Sequence, residues 1–266
     1  KGGRYFVTRN QSSLIAFTLP EETLGGFLIC ASHSDSPTFK LKSNYEMTVD
    51  DRYLKLNVEK YGGMICSTWL DRPLSVAGRV VVNRKDGIES VLVNLDQDLC
   101  LIPNLAIHMN RQINEGYAYN AQKDMLPLLG EGTAKGKLKE LLAEAAGVEE
   151  EALLGYDLFL YLREGGRIWG AEQEFYSSPK IDDLQCAFAS KEAFLQAENT
   201  GMSKVLAIFD NEEVGSGTKQ IELINKMVAE IGKPKFDYPH ANFNQELFDK
   251  IVADFMDEAK AAMDTD

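Results

Sequence analysis

The sequence predicts an α/β protein with a β-rich middle. Residues 41–172 carry short strand signals broken by turn residues, and the last third alternates helix, apolar strand and helix. Such an alternation builds a layered α/β arrangement rather than an antiparallel sheet. The length, 266 residues, suits one large domain or two modest ones with a sizeable core.

The elements follow in order. Runs of β-branched and aromatic residues at 4–9, 13–18 and 27–31 are separated by Asn10-Gln11, Pro20 and Gly25-Gly26, and read as strands. Residues 53–61 alternate through Leu54, Leu56 and Val58 and stop at Gly62-Gly63. Segments 78–83 and 88–94 flank Lys85-Asp86-Gly87, where Asp-Gly signals a hairpin turn. A β-rich barrel or sandwich is expected over 41–172. One helix interrupts it at 137–146, where Leu138, Leu141, Leu142 and Ala145 recur at helical spacing before Gly147. A short helix is expected at 149–154, its acidic first turn matching the helix dipole, and a strand at 156–162. A helix at 184–197, an apolar strand at 205–209 and amphipathic helices at 222–231 and 245–263 complete the chain.

Composition excludes several roles. With 28 Lys+Arg against 41 Asp+Glu the net charge is −13, a surface that repels phosphate backbones and anionic lipid, so neither nucleic acid nor membrane is an expected partner. The apolar runs fall well short of the roughly 20 residues of a membrane-spanning helix. No signal peptide is visible, and position 1 is Lys, so the natural start is expected to differ. Cys30, Cys66, Cys100 and Cys186 are dispersed without a CxxC pair. That argues against a zinc knuckle or a disulfide scaffold and for a reducing cytoplasm. Cys30 and Cys100 sit among apolar neighbours and are expected to be small buried hydrophobes.

Two clusters could carry chemistry, and both directly follow apolar strands. The first contains Ser32-His33-Ser34-Asp35-Ser36-Pro37; the second contains Asp210-Asn211-Glu212-Glu213-Val214-Gly215-Ser216-Gly217. Ligands of open α/β sheets bind beyond the carboxyl ends of strands, so parallel neighbouring strands would bring both clusters to one crevice. His33 and Asp35 are two apart in extended chain and can touch. A metal-bound imidazole commonly gives its other N–H to such a carboxylate; a surface His beside an Asp in a turn is the alternative. Glu212 and Glu213 are crowded carboxylates, which raise each other's pKa unless a cation stands among them; a solvated acidic loop is the alternative. Asp182 and Asp183 precede a helix, leaving one to cap it and one to spare.

Other signals fail. Residues 132–137 resemble a P-loop but have three residues between the glycines instead of four and Leu138 in place of Ser/Thr. Ser34 and Ser36 lie near His33, yet no G-x-S-x-G elbow exists. His108 and His240 are ambiguous by themselves.

The ordered set of motifs resembles the M18 family of metallo-aminopeptidases, also called the aspartyl aminopeptidase family. The matching stretches are residues 2–10, the His33 cluster, Thr68-Trp69-Leu70-Asp71-Arg72-Pro73 and its continuation to Val80, residues 102–111, Ser178-Pro179-Lys180-Ile181-Asp182-Asp183-Leu184, and the Glu212-Glu213 cluster. The similarity spans about residues 1–220. It implies a zinc-exopeptidase α/β/α catalytic domain formed by residues 1–40 and 173–266, with an inserted β-rich dimerisation domain at 41–172. It further implies two zinc ions per subunit, held by His33 on one ion and Glu213 on the other with Asp182 bridging. Asp35 would orient His33, and Glu212 would be the general base and acid. The implied substrates are peptides losing their N-terminal residue, with a preference for Asp or Glu in many members. The implied assembly is a homo-oligomer of dimers forming a dodecamer, in which His108 reaches the neighbouring subunit's site and assists substrate binding.

The family's remaining Asp and His ligand motifs are not found after Lys219-Gln220, and its N-terminal helical segment is missing too. Residues 221–266 contain Asp237, His240, Asp254 and Asp257 without a pattern that assigns them a role. Either this sequence is part of a longer protein, which the intact acidic pair favours, or it is a metal-degenerate, non-catalytic oligomeric scaffold.

Overall fold

A computed structural model describes residues 2–21, 24–198 and 201–217. Along the chain these form β1 (Gly3–Arg9), β2 (Ser13–Leu19), β3 (Phe27–His33), β4 (Thr38–Val49), β5 (Tyr53–Tyr61), β6 (Leu74–Arg84), β7 (Gly87–Asn94) and β8 (Leu128–Glu131). Then come α1 (Lys137–Ala146), β9 (Leu153–Leu162), β10 (Arg167–Trp169), β11 (Phe175–Ser177), α2 (Ile181–Gln196) and β12 (Ser203–Phe209). The helices expected at 222–231 and 245–263, with His240 and its acidic neighbours, lie outside the described residues. Two compact units result: residues up to Ser36 together with those from Asp182 onward, and Pro37–Ile181.

The first unit is a four-stranded sheet in the order β1-β2-β12-β3. β1 and β2 form a hairpin whose turn residues Asn10 and Gln11 are left-handed (φ 50° and 57°), a conformation Asn tolerates well. β12 lies antiparallel to β2 and parallel to β3. Side chains pin its entry: Ser203 Oγ donates to the Thr18 carbonyl (2.6 Å), and Lys204 N–H donates to Thr18 Oγ1 (3.0 Å). α2 buries the small residues Ala187 and Ser190, and Ser190 Oγ lies 3.3 Å from Ser32 Oγ on β3. At the other end of α2, Lys204 Nζ donates to the Ala197 carbonyl (2.6 Å), satisfying an acceptor that the helix terminus leaves open.

The second unit is an antiparallel sheet in the order β7-β6-β9-β4-β5-β8. Isolated bridges join Leu101 to Leu128 on β8 and Cys100 to Leu74 on β6, so the sheet curls back onto its own strands as a barrel does. Phe39, Leu41, Leu56, Val58, Val76 and Leu160 point into its core. Helix α1 covers that core with Leu138, Leu142 and Ala146 and ends at the left-handed Gly147, the residue type suited to a helix C-cap. In the β6–β7 hairpin Arg84 pairs with Gly87, and Gly87 opens β7 at φ 127°. The loop is therefore Lys85-Asp86, one residue earlier than the Asp-Gly signal implied. The short helix expected at 149–154 is a 3-10 turn at Glu150–Ala152.

One burial expectation fails. Cys100 is buried, and burial pushes its thiol up to about 12, but Cys30 is exposed. Among the described residues β3 is the edge of its sheet, and Leu28, Ile29 and Cys30 stand open on it while Ser32 is buried. Among the described residues no helix is long and apolar enough to cross a membrane.

Candidate metal centre

All the candidate residues except His108 fall in the first unit. The parallel pairing sets His33 opposite Phe209, so β3 and β12 end side by side, the edge at which open α/β sheets bind ligands. The pairing continues past the strands, with Ser34 N–H donating to the Phe209 carbonyl at 2.8 Å. Beyond β12 the chain turns at once. Asp210 N–H donates to Ser13 Oγ (3.0 Å), and Asp210 Oδ1 accepts the N–H of the next residue, Asn211 (2.8 Å). Asn211 is left-handed at φ 65°, and a 3-10 turn at Glu212–Gly217 follows.

This turn brings Glu212 and Glu213 beside His33. Ligand atoms of the three residues all lie within 4.8 Å of one another, and Glu212 Oε2 is 3.8 Å from His33 Nε2. Asp182 Oδ1 is 3.4 Å from the same nitrogen, but Asp182 is largely exposed and is not one of the trio. Asp35 joins the two clusters. Its backbone carbonyl is 3.1 Å and its Oδ1 3.4 Å from His33 Nδ1, while its Oδ2 accepts the N–H of Glu213 at 3.1 Å. Asp183 Oδ2 accepts the backbone N–H of His33 at 3.0 Å. Of the Asp pair, the sequence singled out Asp182; the contact between Asp183 and His33 joins residues 150 apart and left no local signal. His108 lies exposed on a turn of the second unit.

The electrostatics suit a cation. Burial pulls the His33 pKa down, but the Asp35 carbonyl and the charges of Asp183, Asp35 and Glu212 outweigh it, so His33 stands above its ordinary value. Burial raises Glu213; His33 opposes this, and the like charges of Asp35, Glu212 and Asp182 reinforce it, leaving Glu213 above the usual carboxylate range. Carboxylates crowded in this way repel one another unless a positive ion neutralises them. One imidazole and two carboxylates are donors that zinc accepts. Their spread is somewhat wider than the roughly 3.5 Å between donors around one tetrahedral zinc, so the residues fit an ion after small side-chain movements.

An α/β sheet whose parallel strand ends gather an imidazole and several carboxylates offers donors that a metal ion could use. The chain belongs to the M18 peptidase family: residues 1–228 match the family described as aminopeptidase I zinc metalloprotease. A protein of Clostridium acetobutylicum named probable M18 family aminopeptidase 2 is 42% identical, over 92% of this chain and 60% of its own. Its counterpart in Clostridium novyi is 45% identical, over 83% of this chain and 53% of its own. The chain thus spans only somewhat more than half the length of these relatives. Among solved structures, that of the Ape4 and Nbr1 complex matches with a TM-score of 0.75 at 34% identity, covering 87% of this chain and 50% of that one. The S. cerevisiae mApe1 dodecamer matches with a TM-score of 0.70 at 29% identity, covering 86% and 54%.

Proposed function

We propose that this chain carries part of the catalytic machinery of a zinc aminopeptidase, which hydrolyses the N-terminal residue from peptides. The observation that carries the reading is the convergence of His33, Glu212 and Glu213 at the ends of two parallel strands. His33 and Glu213 would hold separate zinc ions with Asp182 bridging. Zinc, when bound, supplies Lewis acidity that polarises a carbonyl oxygen and makes water nucleophilic at neutral pH.

The chain's own groups would do the rest. With Nδ1–H donated to the Asp35 carbonyl, the neutral tautomer of the imidazole would present its Nε2 lone pair to the cluster. The two glutamates have different settings. Glu213 is the more enclosed, and its N–H is tied to Asp35, as a fixed ligand requires. Glu212 is more open, which suits a group that takes a proton from the attacking water and returns it to the leaving amine.

The reading extends to selectivity for N-terminal Asp or Glu and to a dodecamer built of dimers through the second unit, with His108 serving a neighbouring subunit. The family resemblance supports both, as does the similarity to a protein solved as a dodecamer. The dispersed free thiols suit a cytoplasmic location.

The test compares Glu212→Gln with the parent, both zinc-loaded, on aminoacyl substrates that include Asp, Glu, Leu and Ala. Loss of about 100-fold or more in kcat with zinc content unchanged supports Glu212 as the base. Equal turnover removes it from the mechanism, and a parent that takes up no zinc supports the scaffold reading.

A further inference from the structure

We propose that Asp183 is a positioning residue for this centre, fixing the end of β3 that carries His33. The inference rests on the metal-centre reading and adds one residue to it. Among the described residues β3 pairs with β12 on one side and with no strand on the other. Because Ser34 N–H donates across to Phe209, the alternation of a parallel ladder turns the His33 N–H to that other side, where no strand of the described residues receives it. Asp183 Oδ2 supplies the acceptor at 3.0 Å.

The same oxygen lies 3.9 Å from His33 Nε2, so one carboxylate borders both the backbone and the ring of the candidate ligand. The Asp183 side chain is only 15% exposed. Its bond to the His33 N–H fastens the start of α2 to the strand end that presents the imidazole. Asp35 fixes the ring from its Nδ1 side; Asp183 fixes the main chain from the other. An imidazole free to shift by an ångström would lose its common focus with Glu212 and Glu213.

The test is zinc affinity, read by competition with a chromophoric chelator, alongside thermal unfolding of the same samples. Asp183→Ala should weaken zinc binding about 10- to 100-fold, the usual effect of removing a group that supports a metal ligand. Asp183→Asn keeps an oxygen that can accept the His33 N–H and should stay close to the parent. Asp183→Ser, whose hydroxyl is too short to reach that N–H, should weaken binding similarly and reads the same claim if Asp183→Ala fails to fold. Parent-like affinity in Asp183→Ala or Asp183→Ser would overturn the proposal, as would equal weakening in Asp183→Ala and Asp183→Asn. A parent that binds no zinc would overturn the metal-centre reading and this inference with it, whereas a zinc-binding parent with indifferent variants overturns this inference alone.

Discussion

The Glu213 backbone N–H donates to Asp35 Oδ2 at 3.1 Å, across 178 positions of sequence. Asp35 also faces the His33 ring through its own carbonyl and Oδ1. One nearly buried carboxylate thus sets the imidazole and the acidic turn at a fixed spacing.

Asp35→Ala should therefore loosen both halves of the centre. Zinc affinity is expected to fall about 10- to 100-fold, measured as metal retained after dialysis against a chelator. Full retention would show that Asp35 positions neither half.

Gly78 tests the second unit. It sits in β6 at φ 151°, and a Cβ there would lie 2.2 Å from the Asp157 carbonyl oxygen on β9. Backbone cannot yield as a flexible side-chain end can. Gly78→Ala should cost at least about 1–3 kcal/mol, the usual penalty of overpacking, seen as a lower urea midpoint. An unchanged midpoint would mean that β6 and β9 are not in this register.

Arg72 and Glu164 give a pH dependence. Two parallel bonds of 2.9 Å join Nε to Oε1 and Nη2 to Oε2. The bond to Arg72 is the main reason that Glu164 stands below the usual carboxylate range, against a smaller opposing effect of burial. A carboxyl group depressed on folding stabilises the protein above its unfolded pKa and loses that contribution as pH falls through the folded value. Glu164→Gln should lower the urea midpoint at pH 7, and the gap to the parent should close on acidification below the ordinary glutamate range of about 4.3. A gap that persists in acid would assign the effect to packing.

Thiol accessibility separates the cysteines. Cys66 and Cys100 are buried and Cys30 and Cys186 exposed, and the thiolate is the reactive form. Brief maleimide treatment of the native protein should modify Cys30 first and Cys186, whose thiol Asp183 holds above its ordinary value, more slowly, with Cys66 and Cys100 following only in denaturant, as read by peptide mass spectrometry. Rapid native labelling of Cys100 would contradict the core of the second unit.

The strand ends were legible because an apolar run followed directly by polar, ligand-type residues is a local pattern, and both β3 and β12 have it. Their parallel pairing turned that pattern into a site. β4 was harder to delimit because its register against β5 shifts between Leu41 and Glu46, and a bulge breaks the alternation on which strand reading depends. β10 and β11 span three residues each, too short to show a period. The exposure of Cys30 was hidden for another reason: an apolar neighbourhood in sequence does not say whether a strand is central or at an edge. Asp182 and Asp183 look alike in sequence, and only the fold gives Asp183 to the His33 backbone.

The most direct measurement is anomalous diffraction at the zinc edge from crystals of the zinc-loaded protein. The account predicts peaks bordered by His33, Asp182 and Glu213, with Glu212 alongside. Peaks elsewhere, or none at that cluster after loading, would contradict it.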